Sequence, residues 1–238
     1  MSGRLVGVGV GPGDPELLTF KGRAALRSAD AVFVPVAAAD EIGYAERVVR
    51  AHVTHGTPLR RLVFALDPDP QARAESWAAA AAAVAATLAT GADAAFATIG
   101  DPNVYSTFTR LARAVRQRVP DAEIVTVPGI TAMQDLAARS GTVLVEGDEQ
   151  LALLPFTAGE APLRHALDSF DTVVCYKGGR RLPAVRSILA ATGREAHAVY
   201  GARLGLEGQD VRGRGDLPTG SAPYLATVIV TRPRQADR

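Results

Sequence analysis

Cysteine is almost absent: Cys175 is the only one in 238 residues. No internal disulfide can form, and nothing argues for an oxidising compartment. Cys175 sits in the apolar run Thr172-Val173-Val174-Cys175-Tyr176, where a small core residue is expected instead of a nucleophile. The histidines are His52, His55, His165 and His197, scattered along the chain. No Cys/His cluster has zinc spacing, so no metal is expected. Long apolar runs are missing too. The longest, Ala78 to Ala86, is too short and too weakly apolar to span a bilayer and reads as a helix. The first residues lead into a strand without an apolar leader, so a cytoplasmic location is expected. The net charge is only +1, which gives no global field toward nucleic acid or an anionic membrane. Lysine is the last scarcity. Lys21 and Lys177 are the only two among 26 basic residues, and the other 24 are arginine. Coding bias accounts for that without any function, yet a polyanionic ligand would find many bidentate forks here.

What is present is alternation. Leu5–Val10 reads as a strand, Pro15–Ser28 as a helix, and Ala31–Val34 as a strand ended by Pro35. Tyr44–His52 reads as a helix and Arg61–Phe64 as a strand. Asp67-Pro68-Asp69-Pro70 is a loop whose Asp69 caps a helix over Gln71–Thr90, with Pro70 in its first turn. Ala94–Thr98 is a strand, Val104–Arg118 a helix and Glu123–Val127 a strand. Repeated strand–helix units imply a mainly parallel sheet with helices on both faces. Pro128-Gly129 then breaks the chain. Beyond it, helices are expected at Ile130–Arg139, Leu163–Ser169 and Leu182–Thr192, and strands at Leu151–Leu154, Asp171–Tyr176 and Ala196–Val199. The run Tyr224–Thr231 suits a strand buried on both faces. Two α/β domains are expected, 1–128 and 129–238. A few residues after Thr231 are expected to be disordered.

One construction occurs twice. Strand Leu5–Val10 runs into Gly11-Pro12-Gly13-Asp14-Pro15, and strand Ala94–Thr98 runs into Gly100-Asp101-Pro102. In each, an Asp is placed to cap a helix whose first residue is Pro. Glycine lets backbone come close to a ligand, and ligands of open α/β sheets bind beyond the carboxyl ends of strands. The same loops are also efficient strand–helix connections, and spacing alone does not separate the two readings. A dinucleotide fingerprint over Gly7 and Gly9 would need glycine where Pro12 stands. A third segment, Val127-Pro128-Gly129-Ile130-Thr131-Ala132, offers Thr131 either as a ligand contact or as a plain helix cap.

Together these segments resemble the tetrapyrrole methylases. The pattern comprises Gly9-Val10-Gly11-Pro12-Gly13-Asp14-Pro15-Glu16-Leu17-Leu18-Thr19, then Gly100-Asp101-Pro102 with Tyr105, then Pro128-Gly129-Ile130-Thr131-Ala132. The resemblance implies two α/β domains, the first with a mainly parallel sheet and the second with a mixed one, and S-adenosylmethionine in a cleft between them, usually in a homodimer. It implies Pro12, Ile99, Gly100, Asp101 and Val104 beside the cofactor, with Thr131 and Ala132 near its ribose and adenine. It also implies Lys177 at a contact position and Ala202 and Ala226 as small residues under the adenine. Gly13, Asp14, Tyr105, Glu146 and Arg180 are the candidate contacts to a tetrapyrrole substrate.

Finer details resemble the precorrin-2 C20-methyltransferases within that family. They are Ala29 to Pro35, Asp101 to Phe108, Val145 to Glu149, Tyr176 to Arg180 and Gly205 to Gln209. The resemblance implies methyl transfer to C20 of precorrin-2 or its cobalt form, in cobalamin biosynthesis. Three alternatives remain open: a uroporphyrinogen III or later-ring methylase, a nucleotide-binding oxidoreductase, and a non-enzymatic corrinoid carrier. The sequence singles out no general base among Asp14, Tyr105 and Glu146. Arg110, Arg180 and Arg203 are candidates for holding substrate carboxylates.

Overall fold

The computed structural model describes residues 2–53, 56–64, 69–177 and 179–233. Asp67 and Pro68 of the expected loop, Gly178 and the end of the chain from residue 234 lie outside them. The chain forms two compact units, Met1–Thr131 and Ala132–Arg238.

In the first unit the strands are β1 (Leu5–Gly9), β2 (Ala31–Val36), β3 (Leu59–Val63), β4 (Ala94–Thr98) and β5 (Ile124–Val127). The helices are α1 (Phe20–Ser28), α2 (Tyr44–Arg50), α3 (Pro70–Ala89) and α4 (Phe108–Arg118). All strand pairs are parallel, in the order β3-β2-β4-β1-β5. Every residue of β1 and β4 is buried, because side chains alternate between two covered faces. On one face Leu5, Phe33 and Phe96 pack with Val84 and Leu88 of α3 and Leu111 and Val115 of α4. On the other Val6, Val8, Val32 and Ala97 pack with Leu26 of α1 and Val48 and Val49 of α2. Asp69 caps α3 as expected, accepting from the backbone N–H of Gln71 at 3.0 Å, with Pro70 in the first turn.

Three expectations need correction here. The helix expected from Pro15 is split into a 3-10 turn over Pro15–Leu17 and then α1, whose cap is Thr19 accepting from Gly22 N–H at 3.0 Å. Helix α4 starts at Phe108, four residues later than expected. Pro35 does not end β2. Pairing of β2 with β4 stops at Phe33, while pairing with β3 runs on to Val36. Ala31 donates toward β4 and Val32 toward β3, so Pro35 falls on the β4 side, where no acceptor remains. Its missing N–H therefore costs no ladder bond.

The second unit contains α5 (Ala132–Ser140), β6 (Leu151–Pro155), α6 (Glu160–Ser169), β7 (Thr172–Tyr176), α7 (Leu182–Ala191), β8 (Ala198–Ala202), β9 (Asp210–Arg212) and β10 (Ala226–Thr231). The sheet is mixed, in the order β6-β7-β10-β8-β9. β6 and β7 are parallel, and β10 runs antiparallel to both β7 and β8. One face packs on α6 and α7 through Val173, Cys175, Val228, Leu167 and Ile188. The other packs on α5 through Val174, Val199, Ile229 and Leu136. All six residues of β10 are buried, as its unbroken apolar run requires. Strand β9 has no counterpart in the sequence reading: Asp210-Val211-Arg212 is three residues with a single apolar member. No helix among the described residues is long and apolar enough to cross a membrane.

Candidate active site

β1, β4 and β5 are parallel neighbours, so the loops that leave them emerge at one edge of the first sheet. Backbone and one carboxylate tie these three loops together. Val10 N–H donates to Thr98 O at 2.9 Å. Gly11 and Gly100 then exchange hydrogen bonds, at 2.8 Å from Gly100 N–H and 3.4 Å from Gly11 N–H. Both have positive φ, +82° and +69°, a conformation that glycine takes without strain. Asp101 links the third loop. Its Oδ2 accepts from Gly129 N–H at 3.0 Å and its Oδ1 from Asn103 N–H at 2.8 Å. The expectation that Asp101 caps a helix is therefore wrong. Thr107 precedes α4, and Asp101 fastens two loops instead. Asp14 does cap, accepting from Glu16 N–H at 2.9 Å, but on the 3-10 turn.

The structure thus gathers Pro12, Gly13, Ile99, Gly100, Asp101 and Thr131 on the loops at that edge. Pro12, Gly13 and Thr131 are buried, and Ile99, Gly100, Asp101 and Val104 are half-buried. A Cβ added at Gly100 would meet no atom within 4 Å, so open space lies over this backbone. Gly9 and Gly129 stood in the sequence motifs without a packing role, although the loops after β1, β4 and β5 close only because neither has a side chain. The glycines at every second residue from 7 to 13 were the available signal. Tyr105 is exposed and has φ +48°. Partial desolvation nevertheless pushes its pKa above the ordinary 10.0.

The remaining candidates lie on the second unit. Ala132 opens α5, whose second residue, Met133, donates its N–H to the Tyr176 hydroxyl at 2.9 Å. Tyr176 fills a helix-start role that no nearby sequence signal announced. Ala202 and Ala226 are paired directly across the β8–β10 ladder, and both are buried. One step beyond the Thr227–Tyr176 pair, Lys177 stands level with Ala226. Burial pushes the Lys177 ammonium below its ordinary value. Glu146 is exposed in the loop after α5, its N–H donating to the Glu149 carboxylate at 2.9 Å. Arg180 is exposed in a 3-10 turn over Gly179–Arg181. Cys175 is buried and its thiol is pushed up to about 12, so it is no nucleophile.

The sequence matches the model of one family, Tetrapyrrole (Corrin/Porphyrin) Methylases, over residues 4–219. It is 37% identical over 236 residues to a precorrin-2 C(20)-methyltransferase from Sinorhizobium sp, covering 96% of this chain and 95% of the relative. It is 35% identical over 174 residues to a probable cobalt-precorrin-2 C(20)-methyltransferase from Methanocaldococcus jannaschii, covering 73% and 72%. Among solved structures, uroporphyrin-III C-methyl transferase from Thermus thermophilus, complexed with S-adenosyl homocysteine, has the same fold. The TM-score is 0.65 at 20% identity, over 96% of this chain and 97% of that one.

Proposed function

The chain belongs to the tetrapyrrole (corrin/porphyrin) methylases, and from that premise we propose that it transfers a methyl group from S-adenosylmethionine to C20 of precorrin-2 or its cobalt form. The observation that carries the reading is the similarity to a precorrin-2 C(20)-methyltransferase over nearly the full length of both chains. We assign the donor to Pro12, Ile99, Gly100, Asp101, Val104 and Thr131 of the first unit and to Ala132, Lys177, Ala202 and Ala226 of the second. The open space over Gly100 and the two small paired alanines fit such an occupant. Gly13, Asp14, Tyr105, Glu146 and Arg180 are assigned to the macrocycle. We further propose a domain boundary after Pro128, a homodimer and a cytoplasmic location.

The sulfonium of the donor supplies an electrophilic methyl. The S–CH3 bond would break as a bond to the meso carbon forms, with S-adenosylhomocysteine as the leaving group and a macrocycle proton passing to solvent. Such an in-line displacement depends above all on alignment, which can supply roughly 7–11 kcal/mol of the barrier. The tied loops provide rigidity for that purpose, since Gly11 and Gly100 are joined by backbone hydrogen bonds and Gly129 is held by the Asp101 carboxylate. Tyr105 keeps its proton at neutral pH, as a hydroxyl with an ordinary value of 10.0 does, and partial desolvation shifts it further the same way. It can donate a hydrogen bond to a substrate oxygen but does not serve as the base.

The test is carbon-13 NMR of the product formed from precorrin-2 and methyl-labelled donor. The expected result is a label at C20. A label on a pyrrole carbon such as C2, C7, C11 or C17 refutes the substrate assignment, as does faster turnover of uroporphyrinogen III. Either result leaves family membership untouched.

A further inference from the structure

Three non-glycine residues among those described have positive φ: Tyr105, Lys177 (+58°) and Arg203 (+52°). This conformation is costly for long side chains and is usually left to Gly, Asn or Asp. Lys177 and Arg203 share one place in the fold. Lys177 is the first residue past β7, and Arg203 is the first past β8. Both strands are antiparallel to β10, so they end at the same edge, one on each side of the β10 start. Lys177 stands level with Ala226, and Arg203 N–H donates to Leu225 O at 3.1 Å. Two inter-strand spacings put their Cα atoms about 10 Å apart. The Arg203 guanidinium lies against Gly208 of its own loop, so it must swing out of that loop toward β10 for the two cationic side chains to meet on one small anion.

We propose that Lys177 and Arg203 form a clamp for a carboxylate of one of the two reactants. The inference rests on the functional reading above and names a binding role for the side chains at this sheet edge. The Nε of Arg203 is buried with no hydrogen-bond partner, a condition that asks for an explanation. The acid on the same hairpin, Asp210, is taken by Arg212 at 3.1 Å. The loop around Arg203 is firmly built. Leu206 N–H donates to Arg203 O at 2.9 Å, and Gly205 N–H to the Gln209 side-chain oxygen at 2.7 Å. The loop already uses glycine at its other left-handed positions, Gly205 and Gly208. An arginine kept at the third implies a use for its guanidinium, which suits a carboxylate. The Lys177 charge is also partly desolvated, so a nearby anion would be felt strongly.

The carboxylate comes either from an arm of the macrocycle or from the methionine part of the donor. The experiment uses Lys177→Gly, Arg203→Gly and the double variant of the full chain. Glycine relieves the backbone strain, so the melting midpoint is expected to hold or rise. Binding of S-adenosylhomocysteine and of precorrin-2 is measured by calorimetry, with methylthioadenosine as a probe lacking the carboxylate. The expected result is a loss of at least tenfold in affinity for one carboxylate ligand and unchanged binding of methylthioadenosine. Loss confined to precorrin-2 identifies a macrocycle arm, and loss confined to S-adenosylhomocysteine identifies the methionine carboxylate. Unchanged binding of both by the double variant overturns the clamp. Glycine variants that melt well below the unaltered protein also overturn it, since the residues are then structural. Failure of the unaltered protein to bind either ligand overturns the functional reading, and the clamp with it.

Discussion

A methyl group added at Gly9 would sit 2.5 Å from the carbonyl oxygen of Gly100 and 2.6 Å from the nitrogen of Gly129. Both obstacles are backbone, so neither can swing aside. Gly9→Ala is therefore expected to cost about 3 kcal/mol, the upper part of the range for overpacking. A large fall in the urea midpoint would show it. Gly100 is the opposite case. Its Cβ direction is open, and only its φ of +69° opposes a side chain. Gly100→Arg should cost about 1–2 kcal/mol of stability and abolish donor binding. Calorimetry with S-adenosylhomocysteine checks this, and normal binding would reduce the loop to a connector. The sequence showed that these loops are rich in glycine. It did not show which glycine is needed for packing and which leaves room, because that depends on loops more than eighty residues apart.

Helix α2 is tied to strand β3 by a cluster that reads, in sequence, as ordinary surface charge. Glu46 is fully buried and accepts from Arg61 at 2.7 Å and from Arg50 at 2.6 Å. Burial alone would raise its carboxyl, but the two guanidiniums outweigh that and hold it below the ordinary 4.5. Its contribution is therefore complete above pH 4.5 and is lost as pH falls through the lower folded value. Glu46→Ala is expected to cost about 3 kcal/mol at pH 7. That is the low end for a broken buried pair, because both arginines keep some contact with water. The gap between the urea midpoints of the two proteins should narrow as pH falls from 7 to 3; a constant gap would refute the assignment. Element boundaries were legible where a local rule governs them. Asp69-Pro70 fixes the start of α3, and the unbroken run Ala94–Thr98 matches β4 residue for residue. Asp101-Pro102 carries the same local signal and misleads, because Gly129 competes for the carboxylate from another loop.

At the scale of the whole molecule, the alternation of strands and helices was enough to read a parallel first sheet, whereas the mixed second sheet was implied only by the family resemblance. The order of strands was not legible, since it rests on pairings distant in sequence. The second sheet shows why this matters. β10 lies between β7 and β8, which have no ladder with each other. Removing residues 226–231 should therefore unfold the second unit and spare the first, whose five strands are all placed by Val127. Limited proteolysis checks this: a protected fragment ending near Thr131 is expected, and equal digestion of both units would refute it. The same strand order sets a timetable during synthesis. The first sheet has all its strands once Val127 is made, whereas β7 waits for its central partner until Thr231 is added. At about 5–20 residues per second that is a delay of roughly 3–11 s. Throughout it β7 presents an unpaired inner edge, joined by that of β8 once Ala202 is made, so the nascent chain is most exposed to edge-to-edge aggregation just before its second sheet closes.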